Sequence, residues 1–187
     1  GGDMNHQSAI VREDKHKTRE ATDNTGLIVN YGTSSNGSIH PGRKQPVGER
    51  AARWALAEVY GVKRRDSKDP LEWRGPVFDS ARVDQKKMII SFEEGTNRGL
   101  RLDQDVEVGF YLAGEDREFH HARARVIKDN QLEVWSDEVP APLAVRYAWS
   151  NLPMGGLMNA RELPAYPFRS DKWPLVPHQS TGEYRVE

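Results

Sequence analysis

His40 is the side chain whose setting best suits proton transfer. It lies in Ser38-Ile-His40-Pro41, after an apolar run and before a helix-forming stretch. Proline at 41 keeps its predecessor out of helical backbone, so the imidazole is presented from an extended, stiff loop. Loops that follow strand ends are where α/β folds place reactive groups, and an imidazole there serves as a general base. The same spacing also fits an ordinary exposed loop histidine. Other histidines offer less. His120 and His121 are neighbours in a predicted strand, so they point to opposite faces and cannot chelate one metal. His6, His16 and His178 stand in polar flanks and read as solvent-exposed. Ser34 and Ser35 occupy a glycine-edged loop, but no G-x-S-x-G or G-K-[ST] pattern surrounds them. Trp135 falls on the Gln131/Glu133 side of its strand, opposite Leu132 and Val134. A tryptophan on a polar face either packs under the C-terminal tail or stacks against a sugar ring. Arg123 and Arg125 alternate with alanines near Glu115, Asp116 and Glu118, and read as a solvated strand face.

The elements that must position these residues have two textures. Residues 1–62 read as α/β. The spacing allows a helix over about 8–21, although its apolar face is thin. The run 26–31, Gly-Leu-Ile-Val-Asn-Tyr, is continuous in apolar residues, as expected of a strand buried on both faces in a parallel sheet. A loop, 32–38, leads to a helix over about 43–60 with Val47, Ala51, Trp54, Ala55 and Val59 at helical spacing. Pro46 fits its first turn and Gly61 its stop. Strand, loop and helix make half of a βαβ unit. The charged stretch 63–70 reads as a solvated linker.

Residues 71–150 turn to β, with strands expected over 76–83, 87–92, 105–112, 119–127, 131–136 and 143–149. Turn signals at Glu94-Gly95, Gly114-Glu-Asp116 and Asp129-Asn130 separate them. Short strands at this spacing imply a β-sandwich. Trp149 shares the Val145/Tyr147 phase and is expected in the core. The Pro- and aromatic-rich tail, 151–187, is expected to wrap over the sandwich without regular structure.

Composition excludes several function classes. The chain has 187 residues, with 27 Lys+Arg against 28 Asp+Glu, a net charge of −1. That balance argues against a nucleic-acid binder, whose affinity needs a basic surplus. No apolar run approaches the roughly 18 residues of a membrane span. The absence of cysteine excludes disulfides, thiolate zinc sites and Cys nucleophiles. No cofactor motif is present and none is expected. The 16 glycines and 11 prolines favour many short elements.

Longer motifs carry a resemblance. Ile39-His-Pro-Gly-Arg-Lys-Gln-Pro-Val-Gly-Glu-Arg50, then Trp54-Ala-Leu-Ala57 and Tyr60-Gly61, resemble the His block of the sialate 9-O-acetylesterases, SGNH-type carbohydrate esterases. Asn24-Thr-Gly26 matches upstream. Phe110-Tyr-Leu-Ala-Gly-Glu-Asp116 with Phe119, Ala144-Val-Arg-Tyr-Ala-Trp149, and Leu163-Pro-Ala-Tyr-Pro-Phe-Arg169 with Asp171 and Trp173 are similar to the family's C-terminal β region. The resemblance runs in order over roughly residues 8–173.

This likeness implies the fold class: an α/β fragment, the last strand and helix of an SGNH-like hydrolase domain, followed by an all-β sandwich. It implies O-acetyl removal from sialic acid or another acetylated sugar, in an extracytoplasmic setting. His40 matches the general base. The family's nucleophilic serine and oxyanion residues lie upstream of the matched region, so an N-terminal domain or second chain is expected to supply them, and the lone chain is expected to be inactive. The family's acidic partner falls two or three residues before the histidine, where this chain has Gly37 and Ser38. Neither nucleic acid nor membrane is an expected partner. The alternative is a non-catalytic carbohydrate-binding or scaffold module derived from such an esterase, using Trp135.

Overall fold

The computed structural model describes residues 7–33, 40, 42–65, 67–103, 109–151 and 155–175. Helix α1 (Gln7–Glu20) is held internally by a Lys17–Glu13 ion pair one turn apart, at 3.0 Å. Helix α2 (Gln45–Trp54) starts with proline in its first turn and continues into a π-helical turn, Ala55–Val59. Gly61, at φ +62°, ends it in the left-handed conformation that glycine adopts without strain.

The strands are β1 (Phe78–Asp84), β2 (Lys87–Phe92), β3 (Arg101–Leu102), β4 (Phe110–Ala113), β5 (His120–Ile127), β6 (Gln131–Trp135), β7 (Ala144–Tyr147), β8 (Leu157–Met158) and β9 (Phe168–Arg169). Tight reversals separate them where short polar residues take positive φ, as at Asp129 and Asn130 between β5 and β6. The strand expected over 105–112 starts at 110; residues 104–108 lie outside the described residues.

Seven strands form one antiparallel sheet in the order β1-β2-β6-β5-β4-β7-β9, and β3 pairs separately with β8. Strand β5 is the corner. His120, His121 and Ala122 pair with β4, while residues from Arg123 to Ile127 pair with β6. The sandwich expected from strand spacing is therefore one sheet folded over itself into a nearly barrel-shaped β domain. Met88, Ile90, Leu132 and Val134 from one half meet Leu112, Val145, Tyr147 and Phe168 from the other in a single core.

Three expectations are corrected. The run 26–31 joins no ladder among the described residues, because the sheet here is antiparallel and built entirely from later strands. The tail is not without regular structure, since β8 and β9 each contribute two paired residues, runs too short to show periodicity. Trp149 is buried but on the other face. Ala148 takes φ +51°, which breaks the alternation and turns the indole towards Arg146, 5.3 Å from its ring centroid.

Residues 63–70 turn back in a small hairpin, with Arg64 N–H donating to Asp69 O at 2.9 Å and Leu71 N–H to Val62 O at 3.2 Å. Helix α1 lies against the β domain. Its Glu13 pairs with Arg169 of β9 at 2.7 Å, and Arg12 donates to the carbonyls of Ala148 and Ser150.

Candidate functional site

The His40 loop is built on the 26–31 segment and α2. Arg50 and Trp54, one turn apart, share the helix face turned to that segment. Arg50 Nη1 donates to Val29 O at 2.6 Å and to Tyr31 O at 3.2 Å. A guanidinium thus satisfies carbonyls that a neighbouring strand would otherwise take. Tyr166 O–H donates to Leu27 O from the β domain. Trp54 lies so close beneath Gly26 that a Cβ there would stand 2.4 Å from its ring. Only glycine permits this approach.

The base of the loop is closed between residues 33 and 43. Arg43 N–H donates to Thr33 O at 3.2 Å, its Nη1 to Gly32 O at 3.3 Å, and Thr33 Oγ1 to Asn30 O at 2.7 Å. His40 lies between these two anchored ends in the chain and is exposed to solvent. Its ring would be accessible to a reacting group brought from outside. Ser34, Ser35, Gly37 and Ser38 lie outside the described residues, as do His6 and His178.

The opposite side of this unit is apolar and open. Helix α2 has no buried residue, and Leu56, Val59, Tyr60 and Val62 beyond it are 42%, 62%, 74% and 38% exposed. Leu27, Ile28 and Val29 are only half-buried.

Trp135 stands elsewhere, at the end of β6. Arg123 is its direct partner across β5 and Lys87 its partner across β2. The Arg125 guanidinium carbon lies 5.7 Å from its ring centroid. The indole lines a cleft of about 210 Å³ formed by His121, Ala122, Arg123, Ser136, Asp137 and Glu138, with no residue from 7–62. The structure does not bring His40 and Trp135 into one cavity. The two adjacent histidines diverge as expected: His120 Nδ1 lies 3.0 Å from Glu138 Oε2, and the His121 ring packs 4.9 Å from Tyr111.

Residues that sequence reading did not single out hold the β domain behind the site. Arg146 Nε and Nη2 donate to both oxygens of Asp171 at 2.8 and 2.9 Å, with Arg146 also 4.1 Å from the Phe119 ring centroid. Burial would raise the Asp171 carboxyl, but the hydrogen bonds and charges of Arg146 and Arg169 outweigh it and hold it below the usual range. Arg146 alternates with the core residues Val145 and Tyr147, so its phase read as outward, and its burial comes from Asp171, Phe119 and Trp149 packed over that second face. Among the described residues no group of three or more His, Asp or Glu side chains could hold a metal ion, and no helix is long and apolar enough to cross a membrane.

No protein-family model and no curated protein matches the chain. Among solved structures it is similar to XAC1771 of Xanthomonas citri, described as a novel carbohydrate acetylesterase, with a TM-score of 0.75 and 36% sequence identity. The match covers 88% of this chain and 36% of that one, so the chain spans little more than a third of the solved protein and shares its fold over that part.

Proposed function

We propose that these residues form the histidine-bearing part of a carbohydrate O-acetylesterase, with His40 as general base. The observation that carries the reading is the 36% identity to a carbohydrate acetylesterase over 88% of the chain. The helical portion before residue 63 supports it. The segment that follows α2 leaves Leu56, Val59, Tyr60 and Val62 exposed, and 26–31 has no ladder partner among the described residues, as expected of elements that pack against a further α/β layer.

The chemistry follows from an exposed imidazole between anchored residues 33 and 43. His40 takes the proton of a serine hydroxyl as its oxygen attacks the acetyl carbonyl. It returns that proton to the sugar oxygen as the carbon–oxygen bond breaks, leaving an acetyl-enzyme. Water, deprotonated by the same ring, then releases acetate. The serine and oxyanion donors come from a part of the enzyme other than these 187 residues. With Gly37 and Ser38 where relatives carry an acid, the imidazole is oriented by the loop or by a group from that other part. The substrate class is an O-acetylated sugar. O-acetylated sialic acid is one member to be tested.

The purified chain is expected not to hydrolyse 4-nitrophenyl acetate or release acetate from O-acetylated sialic acid. Turnover that disappears in His40→Ala would place a nucleophile within these residues and overturn the division of the site. In the assembled enzyme, His40→Ala is expected to lower kcat by roughly 10³-fold or more. Unchanged turnover there would remove His40 from the mechanism. The second reading, a carbohydrate-binding module without catalysis, is favoured by Gly37 and Ser38 at the acid positions and by the cleft beside Trp135.

A further inference from the structure

We infer that the cleft where the β5–β6 ladder ends is a binding subsite for a neutral, hydroxyl-rich saccharide ring, stacked on Trp135 and hydrogen-bonded by Arg123 and Asp137. The proposal names the ligand class of the Trp135 surface and needs only the carbohydrate part of the reading above, not the ester chemistry.

The floor is set by register. Trp135 and Arg123 are directly opposed, so indole and guanidinium rise from one face side by side. Ser136 Oγ donates to His121 O at 2.9 Å and pins the end of β6 against β5. Glu138 is engaged by His120 on the far side, which holds the turn that carries Asp137. The cavity of about 210 Å³ between them suits one ring rather than a long chain.

Its chemistry is that of sugar recognition. A partly buried indole, with Arg125 over part of the ring, offers its remaining apolar surface to the C–H side of a pyranose. Arg123 offers fixed donors and Asp137 paired acceptors for hydroxyls at the ring edge. Among the described residues, none of the tail lines the cleft beside Trp135. The tail aromatic Trp173 instead packs against Phe119, at 5.8 Å. Arg125, over the indole, is itself bonded to Glu133 at 2.7 Å. Charge selects the neutral class: Arg123, Arg125 and Lys87 around the indole are matched by Asp137, Glu138 and Glu133, so the cleft offers a polyanion no net attraction.

The test is a titration of the ¹⁵N-labelled chain with millimolar cellohexaose, xylohexaose or hexagalacturonate, reading the five indole N–H resonances. Trp135→Phe assigns its resonance. A neutral hexasaccharide is expected to shift the Trp135 signal and leave the other four in place. Arg123→Gln should weaken binding about tenfold, Trp135→Ala should abolish it, and His40→Ala should leave it unchanged. The proposal is overturned if neither neutral hexasaccharide moves the resonance, or if hexagalacturonate alone does. Because wild type and Arg123→Gln report directly, a misfolded Trp135→Ala does not blunt the test. Loss of esterase activity in His40→Ala of the assembled enzyme, with sugar binding by the His40→Ala chain retained, separates the two proposals.

Discussion

The rings of Phe78 and Phe168 stack with their centroids 4.6 Å apart and their planes 17° from parallel. They belong to β1 and β9, the first and last strands in sheet order. A side-chain contact thus joins edges that no ladder joins, and this bends the sheet towards a barrel. Phe92 and Tyr147 complete the cluster, at 6.2 and 5.6 Å from Phe168. Pairing and covering edges this way protects them from association with other chains.

Truncating that contact should open the β domain. Phe168→Ala is expected to cost about 3–5 kcal/mol, measured by chemical denaturation, because a buried aromatic leaves a cavity between the sheet ends. Phe168→Leu should cost clearly less. A loss under about 1 kcal/mol for the alanine variant would show that the seam is not closed by this ring.

The Arg146–Asp171 pair is almost wholly buried, with side chains 2% and 1% exposed. Asp171→Asn leaves the guanidinium without its counter-charge and should destabilise by about 3–5 kcal/mol. Since the folded carboxyl sits below its ordinary value, its contribution is complete above about pH 4 and is lost as pH falls through the folded value. Wild type should therefore lose stability on acidification more steeply than Asp171→Asn, measured as Tm between pH 5 and 2. Parallel curves would contradict the linkage.

Gly26 and Arg50 tie α2 to the segment below His40. Gly26→Ala forces the Trp54 ring aside and should cost about 1–3 kcal/mol, with a changed Trp54 fluorescence. Arg50→Met removes the donor to Val29 and Tyr31 carbonyls and should raise amide exchange in 26–31, at a cost of about 1–2 kcal/mol. Unaltered exchange would mean that the carbonyls are held by something else.

Three tyrosines predict an alkaline limit. Burial pushes the Tyr31 and Tyr166 phenols up to about 12, and that of Tyr147 higher still. Each raised value means that the neutral phenol is favoured by folding. Their contribution is full below about pH 10 and is lost as pH rises through the folded values. Tm should stay level to about pH 9.5 and then fall, with part of the absorbance rise at 295 nm coinciding with unfolding. Free titration of every tyrosine near pH 10 in the folded state would refute this.

Much of the β region was legible from local chemistry. The 87–92 strand is a short apolar run, Met88 to Ile90 buried in succession, followed by the turn signal Glu94-Gly95. Positive-φ positions at Asp129 and Asn130 coincide with a turn signal in the sequence. Gly61 ends its helix for the same local reason.

Other features depend on partners distant in sequence. Whether 26–31 is a strand is decided by what lies beside it, and here Arg50 and Tyr166 take carbonyls that a ladder would have used. The two residues of β9 carry no periodic signal, yet they join the sheet because Arg146 and Tyr147 stand opposite. The phase of Trp149 turns on one backbone angle at Ala148. Pairing of Arg123 with Trp135, and so the cleft between them, exists only through the register of β5 on β6. Residue types and their local spacing determined the strands, the turns and the candidate base. Long-range pairing, whose free energy depends on groups far apart in the chain, decided how the sheet closes and which side chains meet.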